Sequence, residues 1–180
     1  MRRFAPAVAL SAVLAAVAAG CGGSSPEEKL AGSVCSDVAD WKSEVQKASD
    51  DVKTQLQSPQ AGTLGAINTD VKSAVDATQQ LATDLKATKA PDTEAGTQAK
   101  QQIDSLASQL DATVTKAKQT VDSVPQGAGL VETAQKLAPL ASDLSSLLAS
   151  ASNTLSSVQA SASAIKDGFD SADSCKQFQR

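Results

Sequence analysis

Leu64, Ile67, Val71, Ala74, Thr78, Leu81 and Leu85 follow one another in alternating steps of three and four without a fault. That is the repeat of about 3.5 residues by which helices pack side by side. A strand, with side chains alternating every second residue, does not carry it. Steps of three or four, less strictly alternating, recur in three more segments. Leu30, Val34, Val38, Trp41, Val45, Ala48, Val52 and Leu56 make one stripe, and Ala95, Ala99, Ile103, Leu106, Leu110, Val114, Ala117, Val121 and Val124 another. The fourth runs from Leu137 through Leu140, Leu144, Leu148, Ala151, Leu155, Val158, Ala162 and Ile165 to Phe169. Each stripe has to be covered, and one chain that owns four of them covers them against each other.

The corners between stripes are marked by residues that end helices. They are Ser58-Pro59-Gln60-Ala61-Gly62, Ala90-Pro91-Asp92 and Pro125-Gln126-Gly127-Ala128-Gly129. Short corners between amphipathic helices predict an all-α, antiparallel four-helix bundle with coiled-coil-like packing. Ser25-Pro26-Glu27-Glu28 is a capping box with proline at the first helical position. Gly32 places the continuous part of helix one near Ser33 or Ser36, and Asp92 is the expected cap of helix three. Pro139 lies inside the fourth stripe, where its missing N–H interrupts a helix. The expectation is a short helix over 130–138 and a main helix from Pro139. Alanine recurs on the inner faces, so the helices are expected to lie close and leave little room between them. From Leu137 to Ile165 the only charged residue is Asp143. That helix is the most buried of the four, or shows an uncharged strip to a partner, or simply carries serine and alanine on a wet face.

Ahead of the helical region, Arg2 and Arg3 precede an apolar run over Ala5–Ala19, and small residues lead into Cys21. The run is about 15 residues, short of the roughly 20 that span a bilayer, and has the layout of an export signal. Ala18-Ala19-Gly20-Cys21 resembles the lipobox of bacterial lipoproteins, with Ala18 standing where leucine is usual. The resemblance implies that residues 1–20 are a signal peptide and that Cys21 is diacylated. It further implies that 21–25 (Cys-Gly-Gly-Ser-Ser) is a tether and that 26–180 is a bundle held on the extracytoplasmic face of the cell membrane. A diacylglyceryl group supplies the two chains that stable anchoring needs.

Cys35 and Cys175 remain. An even number of antiparallel helices brings the first helix's start and the last helix's finish to one end, and an exported chain meets an oxidising compartment. A disulfide between them is therefore predicted, the alternative being two buried free thiols. A last helix running unbroken to Cys175 overshoots its partner at about 1.5 Å per residue. Asp167–Arg180 is accordingly expected to break at Gly168 and fold back, with Phe169 or Phe178 covering the bundle end.

Composition narrows the function. The chain has 16 basic and 20 acidic residues, and loss of Arg2 and Arg3 with the leader takes the net charge from −4 to about −6. With aromatics at 2% and no basic run past Arg3, nucleic acid is not an expected partner. Histidine and tyrosine are absent, and with histidine goes the usual general base near neutral pH. No G-x-S-x-G elbow, Walker loop or dinucleotide loop is present, so no catalytic residue, cofactor or metal site is assigned. Adjacent acids such as Asp50-Asp51 diverge by about 100° on a helix and do not converge on a cation. Trp41, on the inner stripe of helix one, is assigned to packing. The expected function is a non-catalytic binding or scaffolding lipoprotein of the bacterial cell envelope. It is anchored through Cys21 and meets a protein partner at its distal loops, near residues 57–63 and 125–130. The alternative is a carrier of a small apolar or lipid ligand within the bundle.

Overall fold

A computed structural model describes residues 24–58, 60, 62–125 and 129–178. Among them there are no strands, and the order is α1 (Pro26–Gln57), α2 (Thr63–Ala87), α3 (Glu94–Asp122), α4 (Leu130–Ala160), α5 (Ser163–Ser171) and a closing 3-10 turn (Asp173–Phe178). The expected all-α bundle is present. The signal peptide, Cys21 and the first half of the tether lie outside the described residues.

Local chemistry explains where each rod begins. The Glu28 N–H donates to the Ser25 hydroxyl (3.0 Å) with Pro26 in the first turn, so α1 starts at the capping box and not near Ser33. Leu30 and Ala31 are buried within the segment that Gly32 was expected to disrupt. Helix propensity there differs by only about 1 kcal/mol between glycine and alanine, and burial of the flanking side chains outweighs it. Before α2, Gly62 sits at φ 91°, a left-handed conformation that favours glycine. The cap of α3 is Thr93, whose hydroxyl accepts from the Gly96 N–H (2.9 Å), one residue beyond the expected Asp92.

Polar pairs between neighbouring helices give the register. Trp41 meets Thr78 and Gln55 meets Asp70 across α1 and α2. Lys86 meets Asp111 and Lys118 meets Gln79 across α2 and α3. Lys116 meets Asp143 and Ser150 meets Gln109 across α3 and α4. In each pair one number rises as the other falls, so successive helices are antiparallel. We call the end holding the α1 N-terminus and the α2–α3 corner the base, and the end holding the α1–α2 and α3–α4 corners the tip.

The fourth helix departs from expectation in three ways. It runs unbroken through Pro139. That residue is exposed, so the carbonyl left without its N–H partner lies on a hydrated side of the helix, which lowers the cost of the interruption. It ends at Ala160, before the expected break at Gly168. Gly168 lies within α5 against α1, where an added Cβ would stand 2.6 Å from the Glu27 carbonyl carbon, so glycine allows the two backbones to touch. Nor is α4 the most buried helix. Leu137, Leu144 and Leu148 on its inner stripe are only half-covered, and it touches α1 sparingly.

From Ala162 the chain reverses and climbs beside α1. Gly168 lies on Glu27, Ser174 donates to the Gly32 carbonyl (2.9 Å), Cys175 is bonded to Cys35, and Phe178 stands opposite Lys42. α5 packs on α1 and also reaches α4 and α3, placing buried Ile165 and Phe169 in the main core. The expected fold-back is therefore real. It fills the seam between α1 and α4 from the base up to the level of Lys42, and no further.

Candidate functional site

Above Lys42 the α1–α4 seam is open. The inner stripe of α1 continues through Val45, Ala48, Val52 and Leu56, yet Val52 and Leu56 are only half-covered. The reason lies in how the core divides. The main hydrophobic cluster takes α1 as far as Ala48. A second, smaller cluster near the tip joins Val75, Val114, Ala117 and Leu140 with Val71, Val121 and Leu137, residues of α2, α3 and α4 with none from α1. The tip half of α1 thus faces this cluster across a gap.

The gap is a cleft of about 750 Å³. Its α1 wall is Val45, Ala48, Val52 and Leu56, its floor Ile67, Val71, Ala74 and Val75 of α2 with Ala117 of α3, and its α4 wall Leu137, Leu140, Leu144 and Leu148. All of these are aliphatic. The lip on α4 is a row of small residues, Ala134, Ala138, Ala141 and Ser145, and the lip on α1 is Gln46, Ser49, Asp50 and Lys53. Asp50 and Lys53 face each other at 3.4 Å and are largely solvated. The Ser145 hydroxyl donates to the Ala141 carbonyl of its own helix (2.9 Å). What the walls offer a ligand is apolar surface, not a converging set of polar or titratable groups. Half-covered aliphatic side chains gathered in a concave site of this size are a common form of small-molecule pocket.

The other assigned residues that the structure describes lie below the cleft, the two cysteines toward the base and Trp41 at mid-height of α1. Cys35 and Cys175 form the expected disulfide, with a Cα–Cα distance of 5.1 Å and both residues buried. Trp41 is 3% exposed, and its Nε1–H donates to the Thr78 hydroxyl (3.0 Å), which donates on to the Ala74 carbonyl (2.6 Å). The packing role is therefore right, with a buried polar tie that apolar periodicity does not announce. This pair lies one turn below Val45 of the α1 wall and Ala74 of the floor. Among the described residues no three His, Cys, Asp or Glu side chains gather as metal ligands, and no helix is long and apolar enough to cross a membrane. Of the two loops expected to meet a partner, Pro59, Ala61 and residues 126–128 lie outside the described residues.

The cleft was missed because the inner stripes of α1 and α4 predict contact wherever they continue. The signal available was the mismatch in length. The α4 stripe extends well past the point where a folded-back C-terminal segment can fill the space beside it.

Fold and site together define a class, an all-α antiparallel bundle cross-linked at one end and open to an apolar cleft at the other. Compared with family models, curated proteins and solved structures, the chain matches none.

Proposed function

We propose that this chain is a lipid-anchored binding module of the bacterial cell envelope, which holds an apolar ligand in the cleft at the tip of its bundle. The open, aliphatic α1–α4 seam is the observation that carries this reading, and it favours the ligand-holding role over a purely scaffolding one. The anchor rests on the lipobox resemblance at Cys21. A tether of residues 21–25 reaches about 17 Å at most, so the base with its disulfide stands next to the bilayer. The cleft begins at Val45, about 28 Å up α1 from Pro26, and opens away from the membrane. The non-catalytic reading rests on the sequence, which holds no histidine and no nucleophile motif.

Mass spectrometry of the protein purified from its own membrane tests both halves. Under denaturing conditions the expected chain begins at Cys21 with a diacylglyceryl adduct. Under native conditions it carries an additional non-covalent apolar adduct that organic extraction removes. A chain that retains Met1–Gly20 rejects the anchor, and an adduct-free native spectrum rejects the ligand.

A further inference from the structure

Resting on the proposed ligand-holding role, we infer that the occupant of the cleft is a single acyl chain of a lipid with an uncharged or zwitterionic headgroup. The chain lies lengthwise between α1 and α4, its methyl end toward Trp41 and its headgroup at the tip. Three features select this ligand. The first is shape. From Ala134 to Leu148 the cleft runs about 21 Å at ~1.5 Å per residue, and half of a ~30 Å hydrocarbon core gives an acyl chain a reach of about 15 Å. The same length spreads the 750 Å³ over a mean section of about 36 Å². An extended hydrocarbon chain fits a groove of that length, and a helix from a partner or a second copy is the rival occupant that the measurements below separate.

The second feature is chemistry. Among the described residues the walls are aliphatic apart from Thr113, with no aromatic ring to stack on a flat ligand or enclose a cation. A flexible hydrocarbon is matched by length and width alone. The third is polarity along the axis. Below the lower end lies the buried Trp41–Thr78 tie, whereas the charged groups of the lip, Asp50 and Lys53, begin at mid-length and continue toward the tip. Among the described residues Lys53 is the one cation on that lip, it stands 3.4 Å from Asp50, and the mature chain is acidic. The described residues of the mouth therefore favour an uncharged or zwitterionic headgroup over a carboxylate or a phosphomonoester.

Trp41, the only tryptophan in the chain, reports on the ligand's direction. Palmitoyl lysophosphatidylcholine brominated near the methyl end, added to the mature protein below its micelle concentration, is expected to quench Trp41 by at least half. The same lipid brominated beside the headgroup is expected to leave the emission within a tenth of its starting value. Unlabelled lysophosphatidylcholine should reverse the quenching at lower concentration than palmitate does. Ala141→Phe, at an exposed position on the lip, should weaken binding at least tenfold with unchanged helicity and oligomeric state. Equal quenching by both bromines overturns the orientation, and tighter binding of palmitate overturns the headgroup. Absence of quenching in protein that still carries an apolar adduct by native mass spectrometry overturns the acyl-chain assignment and leaves the ligand-holding role standing. Absence of both rejects the role itself. A change of oligomeric state in Ala141→Phe reassigns the face to contact between copies.

Discussion

The Trp41–Thr78 pair shows how one polar contact is decided inside an apolar seam. The indole N–H is buried, and the threonine hydroxyl is the partner that satisfies it. Removing only that partner strands a buried donor, at a cost of about 1–3 kcal/mol, while removing both groups by shape-matched apolar ones is close to neutral. Thr78→Val is thus expected to lower the unfolding free energy by about that amount, and Trp41→Phe combined with Thr78→Val to recover part of it. Denaturant melts of the two variants, followed by circular dichroism, check this. Asp37 makes a second case at the same scale. Burial, then the facing Asp84, and more weakly Asp40 push its carboxyl above the ordinary value of 3.8, against the Ser33 hydroxyl that draws it down. A raised folded value means that the native state binds this proton more tightly than the unfolded state. Stability from this group is therefore present below the ordinary carboxylate range and lost as pH rises through the folded value. Asp37→Asn should be somewhat more stable than the parent at neutral pH, and that advantage should vanish in acid. An advantage that persists below pH 3 contradicts this account. Serine at the capping box and the aliphatic stripes were legible because they act through neighbours one to four residues away. The Trp41–Thr78 tie was not, because its partners are 37 residues apart.

Among the elements, α4 is the one whose sequence and environment disagree. It is the helix with proline inside, and its tip half packs on α3 across the small second cluster while standing clear of α1. Proline costs about 3 kcal/mol more than alanine in a helix interior. Because Pro139 is exposed, Pro139→Ala should stabilise the protein by about 1–3 kcal/mol. Amide exchange over 130–138, expected to be faster in the parent than over the middles of α1 to α3, should slow in the variant. Unchanged exchange there would mean that the proline is not what loosens this stretch. Helix α2 presents the opposite case. Its stripe is regular, its neighbours lie on both sides, and both its existence and its inner face were legible from spacing alone. A split of α4 at Pro139 followed from a rule about isolated helices. Packing of the helix on both sides of the proline overrides it.

At the scale of the whole molecule, the Cys35–Cys175 bond spans a sequence separation of 140 residues and ties the returning C-terminal segment to α1. In the chain-entropy account, a loop of that size contributes about 5 kcal/mol. Reduction, or Cys35→Ser with Cys175→Ser, should lower the melting temperature markedly, by roughly 10 °C or more for a domain of this size. The base should loosen before the α2–α3 pair does, which site-resolved exchange distinguishes from uniform destabilisation. What the sequence by itself determined is the set of rods, their inner faces, their antiparallel order and the meeting of two cysteines at one end. All of these follow from helical periodicity and the parity of helix count. Tertiary structure alone decided where α4 stops, which seam α5 enters and how far up that seam it climbs. Those outcomes depend on which of several equally aliphatic surfaces touch, a competition among long-range contacts that no local spacing ranks. The cleft is what remains of the seam once that competition is settled.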